Sequence, residues 1–472
     1  MERKRFIQYT IVYLVCFCFL SWAVVVGNAD DIIKYWAASG MSHGMKIYGD
    51  LNIIVPPLIY VIAAPLVAVF DSMLVIRMLN ALVWTGVAMS LHVLGHRLKI
   101  SHKIIGFFNL AIGLYAYVSE SFYYGYNMIC LLLALIILSQ LLKEELTGKS
   151  SIIIAVSSIL MVWCKHTMGA VFFAMTVLVI WLKYRKQKGF WGKVGGMLFI
   201  DAGISAGFLG YLLSLGVMNN FLDVIFGGMS RFSNNYSGIF LLIDFAVILG
   251  GICFFIGYVV YAVKQQGDTL SDLFEKYPEH CLVAFWGIGS ILFVYPIFDA
   301  EHFTPMIVFF VLLLSLVNRR NEKLLFRIST LLLGTVVIIF LTLEISNLFG
   351  NYRLSRIPAF RGLPIQAGLE QNLLETEQIV KEANKKVYII DKYAMIYSAA
   401  MRENHGYYDV LWLGSTGGKS PLHYMEELKK EDCLILMKTN SKQESQWDEY
   451  LEKYVKEHYQ IRKDYGYWTL YE

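Results

Sequence analysis

Eleven stretches of this chain are apolar over nearly the length that a bilayer demands, and no soluble core has room for so many. A helix needs about 20 apolar residues to cross the hydrocarbon layer. Such runs fall near residues 6–27, 73–95, 103–119, 121–142, 150–165, 167–183, 195–216, 237–263, 278–297, 303–318 and 323–349. Only 17% of the 472 residues are charged, against roughly 25% in soluble domains. The reading is a polytopic α-helical membrane protein with about eleven spans. The N-terminal run is too long for a signal-peptide core and lacks a small-residue cleavage site, so it is expected to be retained as the first helix.

Loop charge sets the expected topology. The basic segments "MERKR", "HRLKISHK", "KEELTGK", "KYRKQKGFWGK", "VKQQ" and "NRRNEK" belong on the cytoplasmic side by the positive-inside rule. The alternate loops, 28–52, 118–124, 164–168, 217–236 and 298–303, then face outward. This alternation holds only if residues 53–95 cross once. Segment 53–70 carries Pro56, Pro57 and Pro65, each of which removes a backbone donor, so it reads as a broken, membrane-embedded or interfacial piece. The expectation is a multi-pass protein of a bacterial plasma (inner) membrane, with the N-terminus cytoplasmic and everything after residue 350 extracytoplasmic.

Composition changes at that point. Residues 350–472 are polar, with strand-like runs "KKVYIID" (385–391) and "DCLILMK" (432–438) and helix-like stretches such as "YMEELKK" and "WDEYLEKYVKEHY". Strands alternating with helices predict a small α/β domain, giving two domains, 1–349 and 350–472. The polar segment carries no Gly-x-Gly-x-x-Gly or Walker motif, and no internal repeat is visible. Six of the seven cysteines lie in apolar runs, which predicts free thiols and no disulfide framework.

The outward loops collect ionisable residues from far apart in the chain: Asp30, Asp31, Tyr48 and Asp50 in the first, Glu120 in the second, Lys165 and His166 in the third, Arg231 and Asn234 in the fourth, and Asp299, Glu301 and His302 in the fifth. Charge near hydrocarbon is costly, so such groups are functional candidates. Asp30 and Asp31 stand where Asn28 or Asp30 caps a helix, and carboxylates at a helix N-terminus are favoured by its dipole. That helix, "DIIKYWAASGMSHGM", reads as one lying in the interface. A carboxylate at its end is also placed to take a proton from an acceptor. Lys165 is either a snorkelling lysine or the cation that a phosphate leaving group requires. Glu120 or Asp299 with His302 makes a carboxylate–imidazole pair of the kind that ligates divalent cations. Without local spacing, interhelical hydrogen bonding is the favoured reading of that pair, and a divalent cation stays the only open cofactor option. The Asn235-Tyr236-Ser237 glycosylation triplet carries no weight.

The acidic pair ending the first helix, followed by "GMKIYGD" and "PPLIY" and by a late "YPIFDAEH", resembles the GT-C fold glycosyltransferases. The nearest branches are the protein O-mannosyltransferase-like and aminoarabinose-transferase-like ones. The resemblance covers roughly residues 6–349 and is strongest in 28–60. It implies a membrane glycosyltransferase that takes a sugar from a polyprenyl-phosphate carrier, a lipid donor rather than a nucleotide sugar, to an acceptor on the outer face. It further implies a catalytic acid at Asp30 or Asp31, with Asp30 preferred, a donor-phosphate contact at Lys165, and site positions at Glu120 and His302. Asp-Asp stands here where many relatives have Asp-Glu. Tyr48, Asp50, His166, Arg231 and Asp299 complete the expected substrate-binding set. Three rival readings remain: a lipid-linked sugar flippase or small-solute transporter, to which Asp201 and Asp244 would matter most; a ligase joining lipid-linked glycans; and a structural anchor for the C-terminal domain.

Overall fold

The computed structural model describes residues 3–228, 238–265, 276–294, 300–391, 393–411, 421–438 and 446–472. Helices follow in the order α1 (Arg3–Ala23), α2 (Ala29–Ser42), α3 (Leu58–Phe70), α4 (Leu74–Arg97), α5 (His102–Val118), α6 (Tyr126–Leu141), α7 (Gly148–Cys164), α8 (His166–Tyr184), α9 (Phe190–Ser214), α10 (Met218–Leu222), α11 (Gly238–Gln265), α12 (Pro278–Ile291), α13 (Ala300–Val317) and α14 (Glu322–Phe349). Then come β1 (Tyr352–Leu354), β2 (Pro364–Gln366), α15 (Ala367–Glu382), β3 (Lys386–Ile390), α16 (Ala394–Met401), α17 (Pro421–Leu428), β4 (Cys433–Lys438), α18 (Gln446–His458), β5 (Ile461–Asp464) and β6 (Trp468–Tyr471).

Among the described residues five helices are long and apolar enough to cross a membrane: α1, α4, α8, α9 and α14, the last over Glu322–Ile345. Six shorter apolar helices, Leu58–Phe70, His102–Val118, Tyr126–Leu141, Gly148–Cys164, Phe245–Tyr261 and His302–Val317, accompany them. The outer helices turn large apolar side chains outward, as at Phe199 on α9 and Leu331 on α14, which is where lipid replaces protein as the apolar neighbour. The protein is a multi-pass helical membrane protein with a small strand-bearing C-terminal segment.

The chain forms two compact units, one of residues 1–24, 77–208 and 236–349, the other of residues 25–76, 209–235 and 350–472. In the first, polar side chains bind helix to helix. Asn80 Nδ2 donates to Ser21 Oγ and to the Phe122 carbonyl (3.0 and 3.1 Å). Asn109 Nδ2 donates to the Ala88 carbonyl, and the Tyr117 hydroxyl donates to Glu344 Oε1 at 2.5 Å, joining α5 to α14. Such bonds hold helices together where burial of apolar surface supplies no driving force.

The second unit interleaves the segment after α1 with the C-terminal segment. Val26 donates its N–H to the Pro364 carbonyl (2.8 Å) and bridges to Ile365 of β2. Helix α2 packs on α3 and α16. A four-stranded sheet of order β3-β4-β6-β5 lies in the C-terminal segment; β3 and β4 are parallel with Tyr388 opposite Ile435, and the other pairs are antiparallel. A parallel pair needs a long crossover, here the chain carrying α16 and α17. The sheet's Tyr388, Ile435 and Met437 pack with Met425 and Leu428 of α17 and Val455 of α18.

The two strand-like runs and the two helix-like stretches are found as β3, β4, α17 and α18. The interfacial reading of α2 is corrected: Asp31 to Gly40 are buried without interruption. The helix is core to its unit, because protein covers the polar stripe that sequence assigns to water. All seven cysteines are free thiols.

Candidate active site

In the second unit the segment 28–52 begins with a true cap. Asn28, extended at φ −69° and ψ 122°, accepts from the backbone N–H groups of Asp30 (2.9 Å) and Asp31 (3.4 Å). Asn28 is therefore the capping residue, and both carboxylates fall in the first turn of α2, where the helix dipole favours negative charge. Their surroundings then separate them. Asp31 is fully buried, whereas the Asp30 side chain keeps 52% of its exposure. Lys34, one turn along and 2% exposed, donates Nζ to Asp30 Oδ1 at 3.2 Å. A buried ammonium beneath an exposed carboxylate orients the acid and leaves its second oxygen on the open side. The i,i+4 spacing in "DDIIK" is a readable signal for this pair.

The Tyr-Gly-Asp turn is tight. Asp50 accepts the Lys46 N–H through Oδ2 (2.7 Å), and Tyr48 sits at φ 62° with its hydroxyl bound to the Val55 carbonyl (2.6 Å). Asn220 Nδ2 donates to the Tyr48 carbonyl at 3.0 Å. Tyr48 is buried against Phe221, so its hydroxyl is spent on the turn and its role is to shape the loop. Asp71, at the end of α3, accepts from Tyr35 (3.1 Å) and pairs with Arg402 (3.1 Å).

Residues 398–410 grip this loop, and sequence reasoning missed them. Asp409 is buried and accepts from Trp36 Nε1 of α2 (2.9 Å), Ser398 Oγ (2.6 Å) and the His405 N–H (2.8 Å). Asn404 Nδ2 donates to the Trp36 carbonyl, and Asn52 Nδ2 donates to the carbonyls of Tyr407 and Val410. The His405 imidazole stands 3.5 Å from Asp409 and 3.7 Å from Glu403. Burial pushes His405 down, but hydrogen bonding and charge from Asp409 and Glu403 outweigh it and raise the imidazole to about 9. The same hydrogen bond to His405 holds the Glu403 carboxyl below its usual range. No local motif marks Asp409, because its partners are 373 and 11 residues away for Trp36 and Ser398.

In the first unit Lys165 is one extended residue, φ −147° and ψ 100°, between α7 and α8. The helices fold back directly because Gly169 lies against the backbone of Val162, where a Cβ would come within 2.3 Å of its Cα. Lys165 is buried rather than snorkelling: Nζ donates to Asn127 Oδ1 (2.9 Å) and lies over the rings of Tyr126 (4.9 Å) and Phe293 (5.6 Å). An amide oxygen and two ring faces thus contribute to holding the ammonium in place. His166 opens α8, His302 is buried near the start of α13, and Glu120 is exposed at φ 57°. Asp201 of α9 is buried beside an apolar cavity that Trp181 and Phe190 help line.

Asp30, Asp31, Tyr48 and Asp50 thus share the second unit, and Glu120, Lys165, His166 and His302 share the first. Arg231, Asn234 and Asp299 lie outside the described residues, as do the side chains of Asp244 and Glu301. Among the described residues no group of three or more His, Cys, Asp or Glu side chains comes together to hold a metal ion.

No protein-family model matches the sequence, and no curated protein matches it either. Solved structures do. ArnT from Cupriavidus metallidurans in the apo state aligns with a TM-score of 0.59 at 11% identity, over 99% of this chain and 98% of that one. The same protein bound to undecaprenyl phosphate aligns with a TM-score of 0.59 at 12% identity, over 100% and 98% of the two chains. The chain shares the fold of ArnT over nearly its whole length.

Proposed function

We propose that this protein is an integral membrane glycosyltransferase that moves a sugar from a polyprenyl-phosphate carrier to an acceptor at the outer face of the membrane. The observation that carries the reading is the whole-length likeness to a fold seen with undecaprenyl phosphate bound. Helices through residue 349 bear the transfer chemistry and segment 350–472 is extracytoplasmic, with the N-terminus in the cytoplasm of a bacterial inner membrane.

Asp30 is the proposed general base, ahead of Asp31, because only Asp30 is both exposed and oriented by a buried cation. Its free oxygen takes the proton from the acceptor hydroxyl or amine as that atom attacks the anomeric carbon. The bond from that carbon to the carrier's phosphate oxygen breaks, and the phosphate leaves with the electron pair. Charge then grows on the phosphate, and a fixed cation in a place of low polarity stabilises it. Lys165 is the proposed phosphate contact, since its ammonium is buried and fixed by Asn127 between two helices.

The test is release of labelled sugar from a panel of polyprenyl-phosphate sugars by purified protein in lipid. Release is expected from one donor and expected to vanish in Asp30→Asn. Equal release by the Asp30→Asn/Asp31→Asn double variant would sink the assignment. Equal movement of labelled lipid across the bilayer by native and variant protein would favour a flippase.

A further inference from the structure

A cavity of 240 Å³ opens in the second unit between the second half of α2 and the chain that follows α16. Trp36, Ser39, His43 and Met45 line one side, and Arg402 and Asn404 line the other. The space is of the order that one sugar ring needs, and it is open on one side.

The hydrogen-bonding capacity left on its walls is mixed in sign. His43 Nδ1 lies 2.8 Å from the Ser39 carbonyl. A carbonyl only accepts, so Nδ1 carries the proton and Nε2 of the neutral ring is left as an acceptor. Asn404 uses one N–H on the Trp36 carbonyl (3.2 Å) and accepts the Gly406 N–H (2.8 Å). One N–H and one lone pair of its amide remain. Arg402 donates to the Asp71 carbonyl at 2.9 Å, pairs with the Asp71 carboxylate at 3.1 Å and bonds to Tyr35, so its charge is balanced, and of its five N–H groups some donors remain. Met45 and Ala399 supply apolar surface.

Donors and acceptors set side by side around a small space without net charge match a neutral ligand whose groups both donate and accept. Hydroxyls do both, and a pyranose adds a C–H face for the apolar wall. We propose that this cavity is a saccharide-binding subsite, taking one neutral pyranose unit of the acceptor. That ligand's standing as acceptor rests on the transfer reading above, whereas its binding does not.

The geometry also limits where that sugar stands. Asp30 and Trp36 are six residues apart on α2, which places them about 9 Å apart along the axis and roughly 120° apart around it. The subsite therefore does not coincide with the acid. It holds a sugar unit next to the one that reacts, or the reacting unit's far end, so the acceptor carries at least one such ring.

Full-length protein in lipid nanodiscs, without donor, is titrated with methyl α-glucopyranoside and methyl α-mannopyranoside, with glycerol as a small-polyol comparison. Binding is followed by saturation transfer from protein to ring protons. Signal is expected from at least one pyranoside. Its dissociation constant should rise about tenfold in Asn404→Leu, the weight of a lost hydrogen bond or two. Asn404 also braces Trp36, so His43→Phe is the second variant; His43 is exposed and bonds only within its own helix end, and the same rise is expected. No signal from either pyranoside, constants unchanged in both variants, or glycerol binding as well as the sugars would each overturn the proposal. Because no donor is present, failure of sugar transfer and failure of this subsite are separate results.

Discussion

Replacing Asp409 by asparagine tests whether the C-terminal segment holds the segment 28–52 in place. The carboxylate is buried and receives three hydrogen bonds while facing the imidazole of His405. An asparagine keeps the shape. Its amide oxygen still serves the Trp36 indole and the His405 N–H, while its NH₂ turns to Ser398, whose hydroxyl rotates to accept. What is lost is the negative charge. Hydrogen bonds to a charged group contribute about 1.5–3 kcal/mol and neutral ones about 1, and His405 loses its nearer counter-charge. The expected destabilisation is about 3 kcal/mol at pH 7, at the lower end for breaking a buried pair.

The pH dependence supplies the sharper signature. The folded His405 stands at about 9, above the unfolded value of about 6.5. Its stabilisation is fully present below about 6.5 and is lost as pH rises through 9. Native protein should weaken on that rise, whereas Asp409→Asn, already without the charge, should weaken little. The gap between them should then shrink to roughly 1 kcal/mol above pH 9. Hydrogen exchange of the amides of residues 31–40 and 404–410, corrected for intrinsic rate, reads this directly. At pH 7 the variant should lose about 100-fold in protection, with the loss confined to those segments. Unchanged protection in the variant, or native protection that stays flat from pH 7 to 10, would refute the clamp.

Three further outcomes follow from single contacts. Lys165→Met removes the buried ammonium while keeping an unbranched chain one atom shorter, and should lower donor-sugar release about 100-fold without changing expression or thermal stability in lipid. Gly406 has φ +67° and lies where a Cβ would meet the Asp50 carbonyl oxygen at 2.6 Å. Gly406→Ala should therefore cost 2 kcal/mol or more, roughly, from the left-handed backbone and the contact together, seen as early exchange of residues 46–52. Asn28→Ala removes the cap from α2 and should cost about 1 kcal/mol, measured by exchange at Asp30 and Asp31. Its larger effect should be on sugar release, because the helix end that carries Asp30 frays first.

Much of the membrane part was legible because its signals are local. A run of about 20 apolar residues, a proline inside a span and a basic loop are each read from neighbours in the chain, and so the spans near 73–95, 103–119 and 167–183 recur as α4, α5 and α8. The strands β3 and β4 announced themselves as short apolar runs. The closing hairpin β5–β6 did not: "IRKD" is exposed along its length and reads as polar tail, and only pairing with the buried "WTLY" makes it a strand.

The candidate site divides along the same line. Its acids were visible, since two carboxylates just after an apolar run stand out and a cap can be read three residues away. Their inequality was not, because it depends on burial: Asp31 is enclosed while Asp30 is open over Lys34. Nor does any local pattern say that Trp36, Asn52 and Asp71 are met by Asp409, the 407 and 410 carbonyls and Arg402, more than 300 residues on. Sequence by itself determined what the solvent sorts, namely which segments enter lipid and which loops stay polar. Tertiary structure alone decided which buried polar groups satisfy one another, because that choice is made between chain segments that only folding brings within hydrogen-bond distance.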